Sequence, residues 1–314
     1  MIKRTLYFGN SAYLSLNNAQ LVLRLPDVEK NDLLPSEFKK DATVSIPIED
    51  IGIVVLDNKQ ITITQALMEA LLDNNVAMIT CNSTHHPTGL LLPLSGNTIQ
   101  TERFRAQLDA TEPLKKQLWA QTVAQKIKNQ SAHFKELELD NGYFIPLYRN
   151  VKSGDSDNCE ATAAAYYWKH LSPTLTLGGG DFKRHREGLA PNHFLNYGYS
   201  ILRATMARSI VGAGLLPTLG IHHRSRYNAY CLADDLMEPY RPFVDKVVCG
   251  VIKEFGIVEN LPKEVKAALL KIPAMDVMMD DVQSPLMNAT QRTAVSLVKC
   301  YEGEQRKLLY PEFI

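Results

Sequence analysis

The stretch LLLPLSGNTIQTERFRAQL, Leu90–Leu108, decides the fold, because the spacing of the apolar residues changes within it. Before Ser95, short runs rich in β-branched or aromatic residues are broken by Gly, Asn and Pro, which is typical of strands. After Asn97, apolar residues recur at helical spacing. The sequence therefore predicts an α+β chain, with a small β-rich domain over residues 1–97 and a larger all-α domain over residues 98–314.

The predicted elements follow this division of the chain. Strands are predicted at Ile2–Phe8, Tyr13–Asn17, Gln20–Leu25, Thr43–Ile46, Gly52–Leu56, Val76–Thr80 and Gly89–Leu94, with one helix at Thr62–Leu72. Seven further helices are predicted at Thr101–Leu108, Pro113–Phe134, Asn158–Leu171, His193–Val211, Asp234–Phe255, Lys263–Leu270 and Ser284–Glu302. Pro239 and Pro242 leave the start of one helix undecided, because a helix interior disfavours proline. The polar segment 28–41 is predicted only as a disordered hairpin tip.

Composition excludes several classes of protein. The 34 basic residues balance the 34 acidic ones, so no global basic field points to nucleic acid. The five cysteines are widely spaced and form no CxxC pair, which argues against a disulfide framework or zinc ribbon and indicates reduced, cytoplasmic thiols. No apolar run is long enough for a membrane helix. The chain has no Walker pattern and no GxGxxG after a strand, so no nucleotide cofactor is predicted.

Glu160 is the first candidate metal ligand. It shares a helical face with the small or apolar residues Ala163, Ala164 and Tyr167, so this face is predicted to be buried. A buried carboxylate is costly unless it is paired or bound to a metal. The alternative is a glutamate that is favoured in the first helical turn by the helix dipole.

Histidine and further acids follow later in the chain. His222 and His223 end an apolar segment, and the sequence Asp234-Asp235-Leu236-Met237-Glu238 stacks carboxylates one helical turn apart. Stacked carboxylates repel unless a cation lies between them. Carboxylates with one imidazole suit Mg²⁺ or Mn²⁺ better than zinc. The alternatives are core or surface histidines and acids that only complement a helix N-terminus.

A basic stretch surrounds the histidine pair. Between Phe182 and Asn228 seven basic residues face a single acid, Glu187. The seven are Lys183, Arg184, Arg186, Arg203, Arg208, Arg224 and Arg226. Such a stretch beside a hard-metal site suits a phosphodiester substrate, and a solvated basic surface is the alternative. Arg184, Arg203, Arg208, Arg224 and Arg226 are the candidate DNA-binding residues.

Three segments, in order, resemble one known family. They are IKRTLYFGNSAYLSLNNAQLVL near the start, LNYGYSILRATMARSIVGAGLLPTLGIHHRSRYNAYCLADDLMEPYRP at Leu195–Pro242, and the late SPLMNATQRTAVSLVKCYEG. Together they resemble the CRISPR-associated spacer-acquisition endonuclease, the integrase subunit of the adaptation complex. The GIHH form is similar to members that accompany type II systems.

The resemblance implies a function and a site. It implies a β-rich dimerisation domain and a helical catalytic domain in which Glu160, His223 and Glu238 bind Mg²⁺ or Mn²⁺. His223 is preferred over His222 by family register alone, and Asp235 matches an additional acidic position. The expected reaction inserts double-stranded DNA into a CRISPR array by attack of a 3′-hydroxyl on a repeat phosphodiester. The expected assembly is a homodimer with a small ferredoxin-like partner protein.

Two other functions remain open from the residues alone. A general metal-dependent nuclease that cuts DNA or RNA with water would share the same ligands. A non-catalytic DNA-binding scaffold would use the acids only to balance the basic stretch.

Overall fold

The chain divides into two compact units, Met1–Gly96 and Asn97–Ile314, which we call the β-rich unit and the helical unit. The computed structural model describes residues 3–30, 35, 37, 39, 42–185, 188 and 190–314. The predicted hairpin tip at 28–41 therefore lies mostly outside the described residues. Within those ranges, no helix is long and apolar enough to cross a membrane.

The β-rich unit contains two four-stranded sheets. Its strands are β1 Arg4–Phe8, β2 Ala12–Asn17, β3 Gln20–Arg24, β4 Val44–Pro47, β5 Ile51–Leu56, β6 Ile61–Ile63, β7 Ala77–Cys81 and β8 Pro87–Leu91, and its helices are α1 Pro26–Glu29 and α2 Gln65–Asp73. One sheet has the order β1-β5-β7-β8 and the other β4-β3-β2-β6. In the first, β5 runs parallel to both β1 and β7, and β8 pairs antiparallel to β7.

One apolar core joins both sheets and α2. It includes Leu14 and Leu21 from one sheet, Val54 from the other, and Leu67 and Leu71 from α2, all at most 1% exposed. The predicted strands of this unit are present within one to three residues at each end.

The predicted helix Thr62–Leu72 starts too early. Residues 61–63 instead pair in parallel with β2, with Leu14 opposite Ile63. The hydroxyl of Thr64 then accepts the backbone N–H of Leu67 and caps α2. The pairing with β2 is non-local, so the apolar spacing could not reveal it.

The helical unit carries nine helices in the described part of the chain. They are α3 Gln100–Asp109, α4 Glu112–Glu136, α5 Phe144–Arg149, α6 Cys159–Leu175, α7 Asn192–Gly212, α8 Cys231–Met237, α9 Arg241–Phe255, α10 Lys263–Leu269 and α11 Leu286–Tyr301. Helix α7 is buried on nearly all sides and forms the centre of the unit. It approaches α9 closely at Gly198, where an added Cβ would lie 2.6 Å from Val244 Cγ1.

The prediction of an all-α second domain is wrong. An antiparallel hairpin, β9 Asp276–Met279 with β10 Val282–Pro285, interrupts the helices. Asp280 and Asp281 connect the strands with φ of 51° and 57°, and two consecutive positive φ values define the turn that matches strand twist. Because Asp-Asp is a weaker signal for this turn than Asn-Gly, the sequence pattern does not reveal the hairpin.

The predicted helix Asp234–Phe255 is three elements. Helix α8 ends at Met237, a single 3₁₀ turn covers Glu238–Tyr240, and α9 begins at Arg241. Pro239 and Pro242 each lie in the first turn of the element that they enter, where proline is tolerated. The break places Glu238 at a junction between two helices.

Candidate active site

Glu160 and Glu238 meet at one cation. Glu160 lies in the first turn of α6, and Glu238 begins the 3₁₀ turn between α8 and α9. The ammonium of Lys126, on α4, is 2.6 Å from Glu160 Oε1 and 2.6 Å from Glu238 Oε2. Arg241 Nε is 2.8 Å from the other oxygen of Glu238. The structure therefore brings together two of the three residues that the sequence proposed.

Charge explains why Glu238 stays ionised in the interior. Its side chain is 7% exposed, and burial alone would raise the pKa. The positive charges of Arg241 and Lys126 outweigh burial and lower the pKa to about 2. Burial opposes the charged form of Lys126, but the charges of Glu238 and Glu160 raise its pKa above the ordinary value.

A buried carboxylate fixes the ring of His223. Asp235 is fully buried, and its Oδ1 contacts His223 Nδ1. The backbone N–H of His222 donates to Asp235 Oδ2 at 2.9 Å, and that of His223 donates to Oδ1 at 3.2 Å. The side-chain hydrogen bond raises the pKa of His223 despite partial burial. With Nδ1 held by a carboxylate, Nε2 is the ring nitrogen left for another partner.

Gly220 allows this arrangement of the loop. A Cβ at position 220 would lie 2.5 Å from the carbonyl oxygen of His223 and 2.6 Å from Asp235 Oδ2. The glycine of the GIHH sequence is therefore required by close approach of the loop to the Asp235 carboxylate.

The contacts of the two histidines differ. His222 stacks on Trp119, with ring centroids 4.1 Å apart and an interplanar angle of 4°. Burial lowers the pKa of His222. Glu238 and Glu160 are among the charges that raise the pKa of His223, so its ring lies within electrostatic range of both acids. Only His223 combines a carboxylate on Nδ1 with proximity to both glutamates, a distinction that the sequence could not make.

The residues present fit a hard divalent cation. Glu238 Oε2 is buried, and the Lys126 ammonium lies 2.6 Å from it. Two carboxylates and one imidazole form a donor set suited to Mg²⁺ or Mn²⁺. Among the residues that the structure describes, no three His, Cys, Asp or Glu side chains converge closely enough to hold a metal ion. Lys126 instead supplies the positive charge between the two acids.

Three of the five proposed DNA-binding arginines are engaged within the protein. Arg203 forms two hydrogen bonds, of 2.6 and 2.9 Å, to the carboxylate of Asp234. Arg208 is 7% exposed. Arg184 donates to Asn196 Oδ1 at 2.6 Å and lies over the ring of Tyr199. These side chains therefore do not form the single exposed basic surface that the sequence predicted.

The other two arginines are exposed on the loop that follows His223. Arg224 pairs with Glu112 at 2.5 Å, and Arg226 lies 4.7 Å from the ring centroid of Tyr227. Tyr227 is itself 83% exposed. Arg186 and Glu187, which belong to the same basic stretch, lie outside the described residues. These two arginines and Lys183 are the exposed basic side chains of this stretch among the described residues.

Sequence reasoning missed Lys126, Arg241 and Trp119. Arg241 could have been found, because it follows Glu238 by three residues and such pairs meet on a helical surface. Lys126 and Trp119 come from α4, far from the acids in sequence, and no local pattern marks them. Lys126 and Arg241 also line a cavity of about 220 Å³ beside Glu238.

The fold and the site together define a class of enzyme. A β-rich unit is followed by a helical unit in which two acids share a cation position, near a carboxylate-bound histidine and two exposed arginines. These groups suit an enzyme that acts on phosphodiesters with a hard metal ion.

Comparison with known proteins identifies the family. The family model described as "CRISPR associated protein Cas1" matches residues 8–283. The CRISPR-associated endonuclease Cas1 of Neisseria meningitidis is 34% identical over 86% of this chain and 83% of its own length. A CRISPR-associated endonuclease Cas1 of Saccharolobus solfataricus is 29% identical over 80% of this chain and 76% of its own length.

Solved structures share the fold. A casposase bound to its integration product superposes with a TM-score of 0.72 at 20% identity, over 98% of this chain and 92% of that chain. A Cas1 protein from Thermotoga maritima superposes with a TM-score of 0.72 at 15% identity, over 96% of this chain and 98% of that chain.

This chain belongs to the CRISPR-associated Cas1 family. It is accordingly a CRISPR-associated endonuclease, as the resemblance implied, and the Neisseria relative agrees with the expected likeness to type II members.

Proposed function

We propose that Glu160, His223 and Glu238 hold one divalent metal ion, with which the chain inserts short duplex DNA into a CRISPR array. The observation that carries this proposal is the meeting of two acids at one cation, the Lys126 ammonium, which lies 2.6 Å from an oxygen of Glu160 and 2.6 Å from an oxygen of the buried Glu238. Bound Mg²⁺ or Mn²⁺ would polarise the scissile phosphate and stabilise the leaving oxygen.

The protein's own groups prepare this site. Asp235 holds Nδ1 of His223 and so directs Nε2 toward a ligand role, which favours His223 over His222. Arg241 binds Oε1 of Glu238 and fixes that carboxylate with Oε2 at the Lys126 ammonium. Fixed groups of this kind need little reorganisation when charge develops in the transition state.

The reaction exchanges one phosphodiester for another. A 3′-hydroxyl of the incoming DNA loses its proton and attacks the repeat phosphorus, forming a new P–O bond. The bond from that phosphorus to the repeat 3′-oxygen breaks, and the leaving oxygen takes up a proton. Because the number of phosphodiester bonds is unchanged, no nucleotide cofactor is required.

We propose that Arg224 and Arg226 contact the backbone of double-stranded DNA. Both are exposed, and their present partners, Glu112 and Tyr227, are exposed as well. Surface ion pairs contribute little stability, so phosphate can replace Glu112 at small cost. Arg184, Arg203 and Arg208 would support this surface from within.

For the assembly, we propose a homodimer formed through the β-rich unit, with a small ferredoxin-like partner protein and the helical unit as the catalytic part. In support, the chain superposes on a solved structure titled "Cas6-RT-Cas1--Cas2 complex" with a TM-score of 0.71 at 20% identity, over 98% of this chain and 36% of that chain. That likeness establishes the fold, and the assembly itself requires measurement of mass in solution with and without a partner.

A strand-transfer assay tests the metal triad. Glu160→Gln, His223→Ala and Glu238→Gln should each lower integration of a labelled duplex by at least about 100-fold, roughly 3 kcal/mol of barrier, while DNA binding persists. Glu254→Gln, an exposed acid on α9, is the matched control and should be fully active. Full activity of a triad variant would remove that residue from the site, and undiminished activity in excess EDTA would contradict metal dependence.

A branched substrate separates integration from simple hydrolysis. An integrase should also rejoin the strands of a branched integration intermediate, whereas a general nuclease would only cut it. Release of cut products without rejoining would favour the hydrolytic alternative.

A further inference from the structure

Lys126 occupies the position between the two acids that a metal ion would need. Its ammonium lies at 2.6 Å from an oxygen of each glutamate, and its side chain is 12% exposed. Lys126 donates a hydrogen bond to Glu160 and forms an ion pair with Glu238. Both carboxylates therefore hold the ammonium at the same time.

Charge balance makes Lys126 and a divalent ion competitors. Without metal, the two glutamates are balanced by Lys126 and Arg241. A divalent ion bound to both glutamates would by itself cancel their charge, and an ammonium still lying between them would be repelled at close range. Entry of the metal should therefore expel the ammonium, whereas Arg241 binds the opposite oxygen of Glu238 and can stay.

A place to receive the displaced ammonium exists one helical turn away. Gln130 follows Lys126 by four residues on α4, so the two side chains share a face. Gln130 is 3% exposed, and its buried Oε1 has no hydrogen-bond donor among the residues that the structure describes. Both side chains line the cavity of about 220 Å³ beside Glu238. A buried amide oxygen without a donor is costly, and an ammonium moving into the cavity would satisfy it.

We propose that Lys126 is an internal counter-ion that keeps the two glutamates together in the metal-free protein and moves to Gln130 Oε1 when a divalent metal binds. The protein would then bind metal less tightly than its ligands alone allow, because the metal must displace a bound cation. This inference rests on the metal site proposed above.

Binding of Mn²⁺ to the full-length protein without DNA tests the inference, measured by the electron paramagnetic resonance signal of free Mn²⁺. Lys126→Met removes the competitor and should tighten binding at least about 10-fold, which corresponds to about 1.4 kcal/mol. Gln130→Met removes the receiving oxygen and should weaken binding about 3-fold. In the double variant the Gln130 substitution should have no further effect, because the ammonium that Gln130 receives is gone.

Two further variants separate displacement of the Lys126 ammonium from the effects of replacing any lysine on this helix. Lys128→Met is the matched control, because Lys128 is an exposed lysine on the same helix that pairs with Glu312, and it should leave Mn²⁺ affinity unchanged. Lys126→Arg keeps the charge and should bind Mn²⁺ no tighter than the wild type. If Lys126→Met does not fold, Lys126→Gln replaces it, with the same expected tightening.

Three outcomes of the Mn²⁺-binding measurements would overturn the inference. Equal or weaker Mn²⁺ binding by the uncharged Lys126 variants would show that the lysine supports the ligands rather than competes, and would overturn the inference. Tightening by Lys126→Arg would overturn it as well. If neither the wild type nor the uncharged variants bind Mn²⁺, the proposed metal site itself fails, and the inference fails with it.

Discussion

Asp245 makes the stability of the helical unit depend on pH in an unusual direction. This α9 carboxylate is 2% exposed and accepts hydrogen bonds from Tyr199 at 2.5 Å and Tyr167 at 3.0 Å. Burial raises the pKa of Asp245 to about 6, although the two phenols and the nearby Arg241 and Arg184 oppose the shift. Glu238, seven residues earlier, is shifted the other way because two cations touch it directly.

The raised pKa can be converted into free energy of unfolding. The folded state binds the Asp245 proton more tightly than the unfolded state, whose pKa is near 3.8. The stability that this proton contributes is complete below the unfolded pKa and is lost as pH rises through about 6. At 1.36 kcal/mol per pKa unit, the whole effect is about 3 kcal/mol, of which about half falls between pH 5 and pH 8.

Asp245→Asn removes the titration and keeps a hydrogen-bond acceptor for the phenols. The free energy of unfolding of the wild type, relative to that of the variant, should fall by about 1.5 kcal/mol from pH 5 to pH 8. Urea unfolding in EDTA, followed by tryptophan fluorescence, measures this difference, because both tryptophans, Trp119 and Trp168, lie in the helical unit. A difference that stays constant at pH 5, 6, 7 and 8 would refute the reasoning.

Two further predictions concern the site and its surroundings. Asp235→Asn should weaken Mn²⁺ binding about 10- to 100-fold with the fold intact, because the partner of His223 Nδ1 loses its charge. Calorimetric titration measures the Mn²⁺ affinity, and an unchanged affinity would show that His223 needs no charged partner. Replacing Arg224 and Arg226 by Gln should make the slope of log DNA affinity against log salt shallower by about 0.9 for each phosphate that is no longer neutralised. Arg203→Gln should leave that slope unchanged, but should lower the free energy of unfolding by roughly 1–3 kcal/mol.

The β-rich unit was largely predictable because its signals are local. Short runs of β-branched or aromatic residues and breaks at Gly, Asn and Pro mark its strands. The change of apolar spacing at Ser95–Asn97 coincides with the boundary between the two units. The errors arise where pairing with a distant strand or an unusual turn conformation decides the structure. Strand β6 depends on β2, and the β9–β10 hairpin depends on two aspartates adopting positive φ.

The acids of the site could be proposed from sequence, but their partners could not. A carboxylate on a predicted buried helix face implies a cation, and Glu160 is such a carboxylate. Which cation it meets depends on how α4 packs against α6 and the 3₁₀ turn, and Lys126 carries no local mark. The contacts that distinguish His222 from His223 likewise come from Trp119 and Asp235, which lie on different helices.

The break between α8 and α9 explains how one short acidic segment serves several purposes. In a continuous helix, Asp234 and Glu238 would stack on one face and repel. Instead, Asp234 binds Arg203, Asp235 binds His223, and Glu238 turns toward Lys126 and Arg241. Each carboxylate has its own basic partner, so the repulsion that the sequence pattern implies is avoided. The two prolines that made the helix start undecidable from sequence belong to the break that separates Glu238 from the other two acids.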